Sequence, residues 1–190
     1  GNHLQSYSSA DLNAPYGMTF DAAGTTAYIA DSNQGNLVTL NGGSLSILNS
    51  SVSQFGNARD VALDASGNAY VLNIFAGPDG RGIYKVNISD GSHQFITDLE
   101  HSTFSPSNMT YGPGGLLYVT GIDNSEYVVR TFHTDGSAGS TTFDLGVATS
   151  IGPSTIIYTP VPEPATCATL TGLALGAFAF IRRRLASGAI

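Results

Sequence analysis

The best candidates for binding chemistry are polar side chains that recur after β-prone runs containing a tyrosine. They are Asp31, Asn33, Asn73, Asp79, Asp123 and Asn124. Carboxylate and amide oxygens bind Ca²⁺ and hydrogen-bond the hydroxyls of sugars. The pattern predicts a ligand-binding face, with Ca²⁺ as a weak cofactor expectation. The competing interpretation is that these are ordinary polar loop residues in solvent, and Phe75 is the clearest aromatic available there for sugar stacking.

Motifs for catalysis are missing from the sequence. It contains no G-x-S-x-G nucleophile elbow, no phosphate-binding loop and no H-E-x-x-H zinc motif. The four histidines are His3, His93, His101 and His133. Their spacing is not that of metal ligands. The repeated aspartates Asp21 and Asp64 are explained by turns, in which a carboxylate caps backbone amides and the following Gly24 or Gly67 takes a positive φ. We therefore predict no enzyme activity and no metal site.

Charge and composition limit the class of partner. The chain has 7 basic and 14 acidic residues, a net charge of −7. Without Glu163 and the three arginines near the C-terminus, 4 basic and 13 acidic residues remain, a net charge near −9. Nucleic acid is excluded as a partner because phosphate binding needs clustered Lys and Arg. The single cysteine, Cys167, leaves the upstream part without a disulfide, and 23 glycines with 9 tyrosines and 9 phenylalanines indicate a turn-rich β protein.

Three segments, residues 15–41, 58–87 and 106–133, repeat the same order of strand, glycine turn, tyrosine-bearing strand, polar loop and strand. A further β-prone run follows each, at residues 44–48, 93–97 and 141–145. The tyrosines Tyr28, Tyr70 and Tyr118 occupy the equivalent second-strand position, 42 and 48 residues apart. Four short strands at a period of about 45 residues are typical of a β-propeller blade. The predicted fold is all-β, a partial β-propeller of about three four-stranded blades.

Three blades do not close a ring, since propellers have about four to eight. Residues 4–8 are predicted to be the outer strand of an earlier blade, and residues 151–159 to be strands of an unfinished later one. We interpret residues 1–159 as the C-terminal part of a longer propeller, with incomplete blades at both ends. The alternative is a small irregular β-solenoid completed by the association of two copies.

The first repeat, with Ala27-Tyr-Ile-Ala-Asp-Ser-Asn33 followed by Gly35-Asn-Leu-Val38, resembles NHL-type propeller repeats. The other two repeats depart from it, with Leu72-Asn73 and Thr120-Gly121 in place of the Ala-Asp pair. The resemblance implies blade architecture over residues 15–145. It implies no function, because the same fold carries binding platforms, lactonases and lyases.

An exported propeller hydrolase or lyase, lactonase-like and with a metal in the central channel, is the alternative function. Such an enzyme needs carboxylates or amides at the ends of the channel-lining strands. Here the corresponding strands begin after Gly17, Asp60 and Asn108, which is a weak form of that pattern. Arg59 and Asp60 lie where the chain enters the second blade.

The C-terminal region differs in kind from the rest. Residues 165–181 carry no charge, and Arg182, Arg183 and Arg184 follow immediately. Seventeen residues of α-helix span about 25 Å, the lower limit for a membrane helix. The arginine cluster belongs on the cytoplasmic side, which places the preceding residues outside. Upstream, Pro162 and Pro164 flank Glu163 and hold the chain extended.

This order of VPEP, short apolar helix and arginine cluster resembles the PEP-CTERM sorting domain over about residues 160–185, and residues 160–190 form the predicted sorting tail. The resemblance implies that Pro162, Glu163 and Pro164 are recognised by an exosortase, and that the arginines act as the stop signal. It also implies an exported cell-envelope protein, anchored transiently in the inner membrane and then placed at the cell surface or in the extracellular matrix. Exopolysaccharide of a biofilm is the expected setting, and a plain single-span anchor is the alternative.

Overall fold

A computed structural model describes residues 3–48, 55–77, 80–99 and 103–147. Over these residues the chain forms twelve β-strands and a short 3-10 helix at Pro113–Gly115. The strands are β1 Pro15–Phe20, β2 Thr26–Asp31, β3 Asn36–Asn41, β4 Ser44–Ile47, β5 Ala58–Leu63, β6 Asn68–Gly77, β7 Gly80–Asn87, β8 His93–Asp98, β9 Phe104–Gly112, β10 Leu116–Asp123, β11 Glu126–His133 and β12 Ala138–Val147.

The strands form three antiparallel sheets of four, each in chain order: β1–β4 (blade 1), β5–β8 (blade 2) and β9–β12 (blade 3). Turn chemistry holds neighbouring strands together. The Asp21 carboxylate accepts hydrogen bonds from the Thr25 amide at 2.7 Å and the Thr26 amide at 3.1 Å, while Gly24 takes a φ of 69°. Asp64 accepts the Asn68 amide at 2.9 Å in the second blade. The prediction that these aspartates form turns is confirmed.

The equivalence of the three tyrosines is also confirmed by the strand register. Each tyrosine lies on the second strand of its blade and pairs with a residue of the first strand: Tyr28 with Thr19, Tyr70 with Ala62 and Tyr118 with Thr110. Tyr70 is fully buried, and its hydroxyl donates a hydrogen bond of 2.9 Å to Asp64. Burial and the Asp64 carboxylate both raise the pKa of Tyr70, so it remains a hydrogen-bond donor.

The hydrophobic core lies between consecutive blades. One cluster lies between blades 1 and 2. It contains Tyr28, Ala30 and Leu37 of blade 1, Val61, Val71 and Tyr84 of blade 2, and the loop residue Phe55. The second cluster lies between blades 2 and 3. It contains Tyr70, Leu72 and Ile83 of blade 2 and Met109, Leu117 and Val119 of blade 3. Strand β5 packs against both β1 and β9. Each interface therefore buries one face of a sheet that cannot bury both faces alone, as the blade prediction requires.

The prediction of a strand at residues 4–8 is wrong: residues 3–9 have no regular secondary structure. A strand requires a neighbour for its backbone groups, and among the described strands β3 is the partner of β4. Residues 151–159 and the predicted membrane helix at 165–181 lie outside the described residues. Within the described ranges, no helix has the length and apolar character needed to cross a membrane. By internal contacts the chain divides into two units, Gly1–Tyr158 and Thr159–Ile190.

Candidate functional site: the loop end of the blades

Asp31 ends the second strand of blade 1, and its carboxylate is completely buried. Oδ2 accepts hydrogen bonds from the Asn13 amide and from the Ala14 amide, the latter at 3.1 Å. Oδ1 accepts the amides of Asn33 at 3.1 Å and Gln34 at 3.2 Å. The carboxylate thus ties the chain entering the blade to the loop between β2 and β3. Its oxygens are occupied by backbone amides and are turned away from solvent.

Asn73 is the register equivalent of Asp31, since Asn73 pairs with Ala58 as Asp31 pairs with Pro15. It is also fully buried. Its Oδ1 accepts the Asn57 amide at 2.8 Å, as Asp31 accepts the entering chain of blade 1. Its Nδ2 instead donates to the backbone carbonyls of Phe75, near the end of β6, and Gly80, at the start of β7, at 2.6 and 3.0 Å. The two blades use the same position to hold the entering chain. On the other side, Asp31 accepts hydrogen bonds from backbone amides, whereas Asn73 donates hydrogen bonds to backbone carbonyls.

Blade 3 departs from this pattern. The register places Gly121, which pairs with Pro106, at the equivalent position. A Cβ atom there would lie 2.5 Å from the Ser105 carbonyl oxygen and 2.6 Å from the Phe104 ring, so the space of the bracing side chain is already filled. Asp123 lies two residues further along the same strand. Only in blades 1 and 2 is this position polar.

Asp123 has its own partners at the end of β10. Its carboxylate accepts a hydrogen bond from the Thr103 hydroxyl at 2.5 Å and forms an ion pair with Arg130. The Thr103 hydrogen bond, with a further contribution from Arg130, lowers the pKa of Asp123. This carboxylate therefore stays ionised and engaged with its own blade.

Two of the remaining candidate residues and one aromatic residue present their side chains to solvent. Asn33 and Asn124 are exposed, and Phe75 is 63% exposed. Asn124 and Ser125 have φ values of 49° and 67°, as a two-residue hairpin turn requires, and asparagine tolerates that conformation well. Asp79 lies outside the described residues. We call Asn33, Phe75 and Asn124 the loop face: Asn33 and Asn124 are predicted binding residues with exposed side chains, and Phe75 is an exposed aromatic residue two positions after Asn73.

Asp60, the carboxylate that the channel-enzyme alternative needs, lies between blades 2 and 3. It is 8% exposed. One oxygen accepts the Met109 amide of the next blade at 2.8 Å, and the other accepts the Val61 amide at 2.9 Å. Burial raises the pKa of Asp60. At the equivalent position of blade 1 stands Gly17, where a Cβ atom would lie 2.1 Å from Asp60 Oδ1. Asp60 thus links the inner strands of adjacent blades.

Sequence reasoning missed a cluster around Phe104, at the start of blade 3. The Arg81 guanidinium donates to the Phe104 carbonyl, and the Arg130 guanidinium lies 4.4 Å from the centre of the Phe104 ring. Arg59 stacks over Tyr16 in the same way, at 4.0 Å. Only four Lys and Arg residues precede the tail, so their rarity was the available signal. These cations pack on aromatic rings and backbone carbonyls of neighbouring segments.

His93 lies on blade 2, in β8. His93 packs edge-on against Phe55, with ring centres 5.8 Å apart, and lines an open polar groove with Asn68 and Lys85 on blade 2. His101 lies outside the described residues. Over the described ranges, no three His, Cys, Asp or Glu side chains are grouped so that they could hold a metal ion.

The three four-stranded sheets packed face to face have the arrangement of β-propeller blades. Residues 160–184 match the PEP-CTERM protein-sorting motif. A search of curated protein sequences gives no significant match.

Solved structures of β-propeller-type proteins resemble the chain in fold. A chain of the nidogen/laminin complex superposes with a TM-score of 0.54 and 18% identity, covering 73% of this chain and 49% of that one. Virginiamycin B lyase from Staphylococcus aureus gives 0.51 and 15%, with coverages of 74% and 42%. Regucalcin from Agrobacterium tumefaciens, a calcium-binding protein, gives 0.50 and 14%, with coverages of 72% and 44%. The chain spans less than half the length of these structures, and the likeness concerns the fold alone.

Proposed function

We propose that this is an exported cell-envelope protein, in which a non-enzymatic propeller-type scaffold binds a surface partner and the tail directs sorting. The match of residues 160–184 to the PEP-CTERM motif carries the proposal. An exosortase recognises Pro162, Glu163 and Pro164, while residues 165–181 hold the chain in the inner membrane and Arg182, Arg183 and Arg184 mark its cytoplasmic end. Cleavage then releases the scaffold to the cell surface or matrix.

The state of the buried carboxylates supports a scaffold over a catalyst. Catalysis needs groups that are positioned and free to bind or exchange protons with a substrate. Asp31 is saturated by four backbone amides, Asp60 by the amides of two strands, and Asp123 is paired with Arg130. Each of these contacts fixes a loop or joins blades. A rigid frame carrying exposed loops is suited to gripping a ligand.

The sorting proposal is tested in the native host by replacing Pro162, Glu163 and Pro164 together with alanine. We expect the variant to stay uncleaved in the membrane fraction, since it lacks the recognition motif but keeps the apolar segment. Pro153→Ala, a proline outside the matched residues, is the control and should be processed normally. The protein's mass and its distribution between membrane and surface fractions are read by immunoblot. Normal processing of the triple variant would remove the proposal.

Ligand binding by the loop face is tested by calorimetry on the full chain in detergent, with the host's exopolysaccharide and, separately, with Ca²⁺. Asn33 and Phe75 are replaced by alanine and Asn124 by glycine in one variant, because these exposed side chains do not brace the blades and glycine keeps the positive φ of the hairpin turn. We expect the triple variant to lose polysaccharide binding while its thermal stability is kept. Binding that is unchanged would place the site elsewhere on the molecule. Turnover of a lactone or ester substrate would overturn the non-enzymatic assignment in favour of the hydrolase or lyase.

A further inference from the structure

Blade 2 carries an open polar groove at the end of its sheet opposite to the loop face. The groove has a volume of about 340 Å³, which lies within the range of small-molecule sites. It is lined by Asn68, Lys85, Asn87, Ser92, His93 and Gln94. Strand β6 begins and β7 ends at this groove, whereas Phe75 of the loop face lies near the other end of β6. The groove is therefore a site separate from the loop face.

The strand register places four of the lining side chains on one face of the sheet. Lys85 and Asn87 lie two and four residues after Ile83, so they share its face. Asn68 pairs with Asn87 across β6 and β7. Gln94 pairs with Lys85 across β8 and β7. Ile83 is buried in the cluster between blades 2 and 3, so the same face changes from apolar to polar toward the groove, where Lys85 is half-buried and Gln94 is exposed.

Lys85 supplies the charge of the groove, and it is the single lysine of the chain. The other three cations that precede the tail are held by the structural contacts described above, and they are Arg59, Arg81 and Arg130. Among the described residues, the ion pair joins Arg130 to Asp123, and no carboxylate neutralises Lys85. An ammonium group that is half-buried without a counter-charge attracts an anion from solution.

The neutral side chains beside Lys85 have hydrogen-bonding capacity to spare. Asn87 Oδ1 accepts the amide and the hydroxyl of Ser89, at 2.9 and 2.7 Å, so the Asn87 Nδ2 group is left to donate. Asn68 Nδ2 donates to Asp64 at 2.8 Å, which leaves the Asn68 Oδ1 atom to accept. A second donor beside the ammonium suits the two oxygens of a carboxylate, and an acceptor nearby suits a hydroxyl group.

We propose that this groove binds a sugar acid, whose carboxylate lies on Lys85 and whose ring hydroxyls lie on the neighbouring side-chain amides. Lys85 and Asn87 are two residues apart on β7, about 7 Å between Cα atoms, and both donate to the carboxylate. Asn68 accepts from one hydroxyl, and the Gln94 amide both donates to and accepts from another. The His93 ring is packed against Phe55, so recognition depends on charge and hydrogen bonds instead of ring stacking. A free sugar acid and a uronate unit of a glycan chain share this chemistry.

The openness of the groove to solvent makes the site weak for a single sugar. Water and salt screen the pair of ammonium and carboxylate, so binding weakens as the ionic strength rises. A hexuronate of about 13 non-hydrogen atoms reaches a Kd on the order of 1 mM at an ordinary ligand efficiency. A chain of several uronates binds more tightly, because neighbouring units remain close when one dissociates.

The test uses Lys85 as its own reporter in the full chain, held in a detergent without a sugar head group. Reductive methylation with ¹³C-formaldehyde labels the single lysine and keeps its charge. The N-terminal amine gives a second signal, which its lower pKa distinguishes. At constant ionic strength we expect the NMR signal of Lys85 to shift and saturate with glucuronate and not with glucose. Trigalacturonate distinguishes the two sources, since a glycan-chain site binds it more tightly than the monomer.

Two outcomes of this titration would overturn the proposal. Equal shifts with glucose and glucuronate, or no shift with either sugar acid, would show that the groove does not select a carboxylate on a sugar. A tighter response to triglutamate, which offers carboxylates without ring hydroxyls, would indicate an acidic-peptide site instead.

Substitution gives a second readout on unlabelled protein, by saturation-transfer NMR of glucuronate. Gln94→Glu places a carboxylate opposite Lys85 in the strand register, where it competes with the ligand. Gln5→Glu, the same change at an exposed residue outside the groove, is the matched control. We expect the Kd to rise several-fold in Gln94→Glu and to stay unchanged in Gln5→Glu, with circular dichroism reporting that both variants are folded. Neither readout depends on cleavage of the tail or on the loop face, so a failure here leaves the proposed function standing. Equal affinities of the two folded variants would overturn the assignment of the groove.

Discussion

Replacement of Asp31 by asparagine tests whether this buried carboxylate braces blade 1. The carboxylate accepts four backbone amides, two from the entering chain and two from the β2–β3 loop. An asparagine side chain has one accepting oxygen, so its NH₂ group must face two of these donors. The bonds lost are charge-assisted and worth about 1.5–3 kcal/mol each. Because the losses are not additive, we expect about 3 kcal/mol of destabilisation in total.

The assay is thermal unfolding of the full chain followed by far-ultraviolet circular dichroism. For a folded part of this size, about 3 kcal/mol lowers the Tm by about 6–12 °C. Asp21→Asn is the matched control, because Asp21 also accepts backbone amides but is only partly buried, so that water can replace the lost partners there. We expect a clearly smaller change in Tm for the control. Equal shifts for the two variants would refute the bracing role of Asp31.

The reciprocal change, Asn73→Asp, tests the same reasoning at a position where the side chain donates hydrogen bonds instead of accepting them. The Asn73 amide donates to the carbonyls of Phe75 and Gly80, and a carboxylate would face both oxygens without a proton to offer. We expect this variant to lose stability as well, although it recreates the residue type of blade 1. An unchanged stability of Asn73→Asp would mean that the backbone carbonyls near this position do not determine whether an amide or a carboxylate is required.

Two further predictions concern the contacts between blades. Burial raises the pKa of Asp60 above 3.8, so the folded state binds this proton more tightly than the unfolded state, and the resulting stabilisation at low pH is lost as pH rises through the raised pKa. The free energy of unfolding by urea should therefore fall across that pH window in wild type relative to Asp60→Asn. Parallel pH curves for the two proteins would contradict the assignment. Gly17→Ala should lower the free energy of unfolding by about 1–3 kcal/mol through overpacking, since its Cβ would lie 2.5 Å from the Asp60 Cα. An unchanged urea midpoint would show that blades 1 and 2 can move apart at this contact without loss of stability.

Local patterns in the sequence were sufficient for the blades. The Asp-to-Gly turns at Asp21 and Asp64 and the alternation of strand and turn involve neighbours within a few residues, and this local order repeats along the chain. The register confirms the resulting alignment of Tyr28, Tyr70 and Tyr118. The sorting motif was likewise readable, because it depends on residue order alone. The strand predicted at residues 4–8 failed since strand formation depends on a partner, which local composition does not specify.

The role of each polar side chain was decided only by the tertiary structure. Asp31 receives the amide of Asn13, 18 residues earlier, and Asp60 receives that of Met109, 49 residues later. The sequence alignment already placed Gly121 opposite Asp31 and Asn73, and the strand register confirms it; only the structure shows that Asp123, two residues further on, pairs with Thr103 and Arg130 instead. A carboxylate has the same chemistry whether it faces a ligand or a backbone amide. Which of these it meets depends on long-range packing of the blades, and that packing left Asn33, Phe75 and Asn124 at the surface while it buried Asp31 and Asn73.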